Sequence, residues 1–111
     1  MDSPRLQQLF TFLENSPKDA FITFAIAKEY EGLGDDQKAL EYYLTLCKNE
    51  PDYVGTYYHL GKLYEKLEQF DTAFQTYKDG MAVAKKAGDQ HALSELAGAK
   101  LGLGDEEDFE F

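Results

Sequence analysis

Cysteine and basic residues are both scarce in this chain. Only one of its 111 residues is cysteine, so no disulfide can form within the chain, and the composition is typical of a reducing compartment. Eleven lysines and arginines stand against 21 aspartates and glutamates, which gives a formal net charge of −10. Nucleic acids and anionic membranes are bound through clustered Lys and Arg, so we expect neither as a partner.

Long apolar segments and sheet-type patterns are also missing. The most apolar segment, residues 20–27, is far shorter than the roughly 20 residues that span a bilayer. The first residues lack the charged lead and apolar core of a secretory signal, so we expect a cytoplasmic protein. No stretch alternates apolar and polar residues for long enough to predict a β-sheet, and the sequence therefore predicts an all-α protein.

Apolar residues instead recur with helical spacing along almost the whole chain, in six segments. Ser3, Asp52 and Asp89 stand where they can cap the first turn of a helix. Pro51 and Gly88 stand where helices end. Turns of a few residues separate the segments, and such short links imply that successive helices are antiparallel neighbours.

The helical pattern repeats after 34 residues. Each copy places a small residue between an aliphatic residue and a tyrosine, and its second helix carries Ala and then Tyr. The copies read Thr23-x2-Ile26-Ala27-x2-Tyr30 with Ala39-x3-Tyr43, and Tyr57-x2-Leu60-Gly61-x2-Tyr64 with Ala73-x3-Tyr77. Small side chains allow two helices to approach closely, so we expect Ala39 and Ala73 to be buried.

This arrangement resembles the tetratricopeptide repeat family, whose unit is a 34-residue pair of helices. The resemblance covers roughly residues 5–100 and implies a short right-handed solenoid of about six helices in antiparallel pairs. Two departures stand out. Thr23 occupies a position where a large side chain is usual, and Lys85 replaces the closing proline of the second copy.

The resemblance implies a single repeat domain over residues 1–104. Its parts, in order, are a half-repeat at 4–17, full repeats at 20–53 and 54–87, and a capping helix at 89–101. Because one helix pair cannot bury its apolar faces alone, the terminal segments would cover the ends. Residues 105–111 contain five acids and are predicted to form an acidic flexible tail.

No group of residues predicts catalysis, a metal site or a bound cofactor. His59 and His91 are the only histidines, and neither has a second ligand at a spacing typical of zinc. Cys47 has only Lys48 as a basic neighbour, so a packed thiol is its expected role. We therefore expect a protein that is not an enzyme.

The candidate binding residues lie on the first helix of each pair, because those helices line the concave side of such a stack. They are Phe21, Phe24, Lys28 and Glu31 in the first copy, and Gly55, Tyr58, Lys62 and Glu65 at the matching positions 34 residues later. The aromatic rings would anchor an extended peptide or a helix, and the lysines would meet its carboxylates. Two alternatives remain open: the phenylalanines pack against the N-terminal helix, or the lysines are simply solvated.

The sequence thus predicts a non-catalytic module that binds a partner protein or peptide. The alternative is a self-associating structural protein, which dimerises or stacks through its terminal half-repeats or its tail. A further hypothesis concerns Phe109 and Phe111, which a tail that only aids solubility does not need. In that hypothesis the tail docks in a groove beside Lys28 and Lys62.

Overall fold

The computed structural model describes residues 3–104 and contains six α-helices and no strand in that range. The helices are α1 (Pro4–Asn15), α2 (Ala20–Gly32), α3 (Asp36–Asn49), α4 (Gly55–Lys66), α5 (Phe70–Ala87) and α6 (Gln90–Gly102). The predicted all-α class is confirmed. The described residues divide into two compact units, residues 3–53 with α1 to α3 and residues 54–104 with α4 to α6.

Four helices begin at a polar residue that accepts a hydrogen bond from the first turn. Ser3 Oγ accepts from the backbone N–H of Leu6 at 3.0 Å. The side chains of Asp19, Asp35 and Asp89 accept in the same way at the starts of α2, α3 and α6. These caps satisfy N–H groups that have no partner within the helix, which fixes where each helix starts.

The start of α4 differs from the prediction. Asp52 does not cap this helix, which begins at Gly55 after Val54, a residue with helical backbone angles and no side-chain cap bond in the described structure. The reason is a turn before the helix, in which the N–H of Tyr53 donates to the carbonyl of Glu50 at 3.0 Å. Asp52 therefore lies in that turn, two residues ahead of the cap position.

The core of the first unit joins α1 to α2. Leu6, Leu9, Ala25 and Ile26 are buried together. Three aromatic rings pack against this cluster, those of Phe10, Tyr30 and Tyr42, with centroids 5.7–6.5 Å apart. Spacings of this size are typical of favourable aromatic pairs. The N-terminal helix thus packs against α2 through this buried cluster.

In the pair formed by α4 and α5, a tyrosine ring lies against a residue with no side chain. In the second unit a Cβ added to Gly61 would overlap the ring of Tyr77. In the first unit Ala27 and Tyr43 occupy the matching positions, and both are fully buried. Ala39 and Ala73 have no exposed surface either, so their predicted burial is confirmed.

The departure at Thr23 is matched by a second departure on α3. In the second unit Tyr57 is buried beside Gly80, where a Cβ would overlap the Cβ of Tyr57. The matching residues of the first unit are Thr23 and Leu46, so the larger side chain has moved from the first helix to the second. The exchange conserves much of the volume at the contact, and cores tolerate such exchanges best.

Gly61→Ala is predicted to destabilise the protein by about 1–3 kcal/mol, because the added methyl group overpacks the buried contact with Tyr77. Gly98 offers a matched control on α6, since no described atom outside its own helix lies within 4 Å of a Cβ placed there. Gly98→Ala is expected to stabilise by up to about 1 kcal/mol through helix propensity. Urea unfolding of both variants measures the effects, and a neutral Gly61→Ala would refute the close contact.

Candidate functional site

The predicted binding residues of α2 differ in how accessible they are. Phe21 is 64% exposed and takes no part in the α1–α2 core, and Lys28 is also exposed. Phe24 is half-buried, with its ring 6.2 Å from that of Tyr43 and 5.9 Å from that of Tyr53. Neither phenylalanine belongs to the α1–α2 cluster, so the described contacts do not favour the alternative of packing on the N-terminal helix.

The predicted binding residues of α4 lie together on one face of that helix. The Tyr58 ring is half-buried and meets the His59 ring edge-on at 5.5 Å. Lys62 Nζ lies 5.6 Å from the centroid of the Tyr58 ring and 3.7 Å from Glu65 Oε2. Lys62 is thus about half exposed and has an aromatic ring and a carboxylate as neighbours.

The two predicted glutamates turn towards the second helix of their own pair. Tyr43 Oη donates to Glu31 Oε1 at 2.5 Å, and Tyr77 Oη donates to Glu65 Oε2. The two bonds are related by the 34-residue repeat. Glu31 and Glu65 thus hold buried tyrosines in place, and Glu65 at the same time holds Lys62.

These hydrogen bonds change how the tyrosines titrate. Burial raises the pKa of Tyr43 and of Tyr77 well above the ordinary value of about 10, and the hydrogen bond to the glutamate and its negative charge raise it further. Both tyrosines therefore stay protonated in the folded protein at a pH where free tyrosine ionises. The neutral hydroxyl remains a hydrogen-bond donor to its glutamate.

A cleft of about 320 Å³ lies between the N-terminal halves of α4 and α6. Its floor is apolar and includes Val54 and the buried Leu96, and Tyr58 forms part of one wall. The remaining lining residues are Gly55, His59, Asp89, His91, Ala92 and Glu95. The structure thus places the predicted anchor Tyr58 beside a helix on which no site residue was predicted.

The charges of this cleft are negative at neutral pH. Asp89 Oδ1 accepts from the backbone N–H of Ala92 at 3.0 Å and so caps α6. Glu95 Oε1 lies 3.7 Å from His91 Nε2, and both side chains are at least half exposed. Among the described residues that line the cleft there is no Lys or Arg, and its acidic side chains are those of Asp89 and Glu95.

Sequence reasoning missed the α6 wall because the repeat register changes there. On α6 the large-x2-Leu-small pattern appears at Leu93, Leu96 and Ala97, which is 36 residues after the pattern on α4. α5 has 18 residues, whereas α3 has 14, and the link from α5 to α6 is shorter than the link from α3 to α4. The capping helix at 89–101 was predicted to resemble a first helix, but no binding residue was predicted on it.

Within residues 3–104 no group of three or more His, Cys, Asp or Glu side chains is placed to hold a metal ion. Over the same residues, no helix combines the length and the apolar character needed to cross a bilayer. Cys47 is half-buried and forms no disulfide.

Helix pairs repeated in this way define an α-helical repeat protein. The family model described as Tetratricopeptide repeat matches residues 24–53 and 54–86, which is more than half of the chain. The chain therefore belongs to the tetratricopeptide repeat family. Members of this family are interaction modules, so the family supports a general role in protein–protein interaction.

Several relatives agree with this assignment. A tetratricopeptide repeat domain from Salinibacter ruber, solved by crystallography, is 47% identical with a TM-score of 0.74, over 77% of this chain and 94% of that one. A Bordetella parapertussis protein shares the fold, with a TM-score of 0.79 and 24% identity over 99% of this chain and 95% of that one. The TPR repeat-containing protein PA0015 of Pseudomonas aeruginosa is 26% identical over 82% of this chain and 87% of its own length.

A further relative is much longer. The transcription factor tau subunit sfc4 of Schizosaccharomyces pombe is 31% identical over 75 residues, which make up 65% of this chain. The match spans only 8% of that subunit. The likeness therefore concerns the repeats.

Tyr77→Phe is predicted to cost about 1–2 kcal/mol at neutral pH, because it removes a hydrogen bond to a charged group. Since the folded pKa of Tyr77 is raised, the unfolded chain ionises first, and the stability of the wild type falls as pH rises above about 10. The variant lacks this ionisation and should lose less stability between pH 9 and 11. Urea unfolding across that range tests this, and equal losses in both proteins would contradict it.

Proposed function

We propose that this protein is a non-catalytic interaction module whose main binding surface is the cleft between α4 and α6. The observation that carries this proposal is the position of Tyr58, whose half-buried ring stands beside an apolar floor between two first helices. Large aromatic side chains in partly enclosed clefts are frequent anchors of protein interfaces. The cleft volume of about 320 Å³ suits one or two side chains of an extended peptide or a helix.

The charges of the cleft favour a partner segment with a basic residue next to an apolar one. Val54 and Tyr58 offer the apolar seat, and the carboxylates of Asp89 and Glu95 favour a Lys or Arg side chain beside it. Tyr58 already attracts one cation, Lys62, to its ring. Lys62 is balanced by Glu65, so it opposes a basic partner less than a lone lysine would.

The α2 residues would form a separate and smaller contact with the partner. Phe21 and Lys28 are both exposed, so an apolar or acidic group of a partner can reach them. Phe24 and Glu31 contribute mainly by packing and hydrogen bonding within the first unit. On this view, the predicted anchor role belongs to Tyr58 rather than to Phe24.

Neither the sequence nor the family gives a reason to propose catalysis. The tetratricopeptide repeat is typically a non-catalytic interaction fold. In the α4–α6 cleft, His91 Nε2 lies 3.7 Å from the half-exposed carboxylate of Glu95. We further propose a cytoplasmic location, because a single cysteine suits a reducing compartment.

Self-association is the second candidate function, and the exposed Leu101 on α6 is the observation that favours it. End-to-end stacking through α1 has less support. Arg5 stands where α3 and α5 carry Ala39 and Ala73, and it pairs with Glu29 at 3.4 Å. The N-terminal helix therefore lacks the small residue that a preceding first helix would need. Sedimentation at micromolar concentration separates the candidates, since a monomer contradicts self-association.

The test of the main proposal uses fluorescein-labelled peptides of equal length, with Leu-Arg, Leu-Gln or Leu-Glu at the centre. We expect affinity to fall in that order, with the preference for Arg greater at low salt because exposed charges are screened. Tyr58→Ala should weaken binding of the Arg peptide at least about tenfold, since it removes the anchor. Glu95→Gln should reduce the preference for Arg over Gln. Fluorescence anisotropy measures all three effects.

Phe70→Ala is the matched control, because this ring is 46% exposed on α5 and does not line the cleft. It should leave peptide binding unchanged. Circular dichroism must show that Tyr58→Ala keeps its helices. If the folded Tyr58→Ala protein binds as tightly as the wild type, the cleft is not the binding surface.

A further inference from the structure

The last described helix, α6, carries the residue pattern by which α2 holds α3. On α2 the Tyr30 ring stacks on that of Tyr42 at 5.7 Å, and Glu31 accepts a hydrogen bond from Tyr43 at 2.5 Å. Where α2 has Thr23, Ala27, Tyr30 and Glu31, the matching residues of α6 are Leu93, Ala97, Lys100 and Leu101. We call these four residues the α6 face. The first three are half-buried, and Leu101 is 66% exposed.

The α6 face is apolar at a place where a repeat array usually ends in a polar surface. Leu93, Ala97 and Leu101 are three of its four residues. In the described structure α6 packs against α5 and, less closely, against α4. Because these three residues match those that bind a second helix in each pair, the α6 face continues the helix-packing interface of the pairs.

Two lysines give one edge of the α6 face a positive charge. Lys100 Nζ lies 4.9 Å and Lys78 Nζ 5.9 Å from the centroid of the Phe74 ring. In the first unit the repeat positions of Lys78 and Lys100 are aromatic, and their rings pack with the ring of Tyr42 on α3. A second helix on α6 would therefore bring its residue at the Tyr42 position close to two ammonium groups. A carboxylate is the side chain that suits this position best.

Leu101 favours phenylalanine over tyrosine in the helix that it would contact. Its counterpart on α4 is Glu65, which accepts from the hydroxyl of Tyr77. Leu101 offers no acceptor, and a covered hydroxyl without a partner is costly, so the ring at this position should carry no hydroxyl. Ala97 is as small as the fully buried Ala27 at the same repeat position, so a ring can lie close to it.

Leu93 sets the size of a third contact. It stands where α4 has Tyr57 and α2 has Thr23. The large Tyr57 is buried beside Gly80, whereas the smaller Thr23 is matched by the larger Leu46. Because leucine is larger than threonine, the residue opposite Leu93 should be smaller than leucine, for example alanine.

We propose that the α6 face binds an amphipathic helix of another protein, in which an acid is followed directly by a phenylalanine and, three positions later, by a small residue. In α3 these positions are held by Tyr42, Tyr43 and Leu46. The acid of the partner meets the two lysines, its ring covers Leu101, and its small residue faces Leu93. The proposal does not depend on the proposed function, because no residue of the α6 face lines the α4–α6 cleft.

A second copy of this chain suits the α6 face less well than another protein does. Its α1 would have to take the place of the second helix, and at the four contact positions α1 has Arg5, Gln8, Leu9 and Phe12. None of these is an acid, and Arg5 would add a positive charge to a positive edge. The docking hypothesis drawn from the sequence concerns residues 105–111, which lie outside the described residues, and it stays a prediction.

The test uses synthetic peptides with the sequence of α3, in which Tyr43→Phe and Leu46→Ala introduce the two apolar contacts. A lactam bridge from Glu41 to a Thr45→Lys substitution keeps the peptides helical, since both positions are exposed in α3 and four residues apart. Circular dichroism checks the helix. Three peptides carry Tyr42→Glu, Tyr42→Gln or Tyr42→Lys. We expect their affinity for the full-length protein to fall in that order, with at least about a tenfold difference between the first and the last at low salt.

Variants of the protein test the charged contact. Lys100→Gln should reduce the preference for the Glu peptide over the Gln peptide to about onefold, because it removes one of the two ammonium groups. Lys85→Gln is the matched control, since this lysine is exposed on α5 and lies two turns beyond Lys78. It should leave the preference unchanged.

Leu101→Glu tests the apolar contact, and its exposed position makes the variant compatible with folding. The substitution restores the acceptor that the repeat has at Glu65. The wild type should prefer the Glu peptide with Tyr43→Phe over the same peptide with Tyr43 retained. In Leu101→Glu this order should be reversed, because the hydroxyl then has a partner.

Amide spectra of the full-length ¹⁵N-labelled protein locate the bound peptide. We expect the Glu peptide to shift the resonances of Lys78, Ala97 and Leu101 in a saturable manner. Tyr58→Ala removes the anchor of the α4–α6 cleft and should leave the affinity for this peptide unchanged. A failure of the proposed function is therefore distinguishable from a failure of this proposal.

Three results would overturn the proposal. The first is a helical Glu peptide that leaves the resonances of Ala97 and Leu101 in place at millimolar concentration. The second is equal affinity for the Glu and Lys peptides at low salt. The third is a dimer of the peptide-free protein that Leu101→Glu converts to a monomer in sedimentation, since a second copy would then occupy the α6 face.

Discussion

The contact of a buried tyrosine ring with a residue of minimal side chain is the constraint on which each helix pair depends. Tyr77 lies against Gly61, and Tyr43 and Ala27 occupy the matching positions. A ring can approach a helix backbone this closely only where no larger side chain intervenes. Its hydroxyl must then find a partner, because an unpaired buried polar group is costly. A glutamate on the first helix of the pair, 12 residues earlier in the sequence, supplies that partner in both units.

The same hydrogen bond connects the core of the second unit to its candidate binding surface. Glu65 accepts from Tyr77 on one side and holds Lys62 on the other, and Lys62 in turn lies over the ring of Tyr58. The proposed anchor is therefore positioned by a chain of contacts that begins in the core. A fixed side chain loses less conformational entropy on binding than a mobile one, which favours affinity.

The periodic part of this structure could be predicted from the sequence, because it depends on spacing. The 34-residue repeat and the buried positions of Ala39 and Ala73 are examples. The bonds of Glu31 and Glu65 could not be predicted, since the sequence does not show that an acid on a solvated face turns towards a tyrosine 12 residues away. No binding residue was predicted on α6, because its pattern follows that of α4 after 36 residues and not after 34.

A double-mutant cycle at Glu65 and Tyr77 tests the central claim most directly. The free energy of unfolding is measured for the wild type, Tyr77→Phe, Glu65→Ala and the double variant by urea titration at neutral pH. If the hydrogen bond fixes the ring in the pair, the two substitutions are coupled by about 1–2 kcal/mol. Effects that add to within about 0.5 kcal/mol would show that the two groups act independently, and would contradict the account.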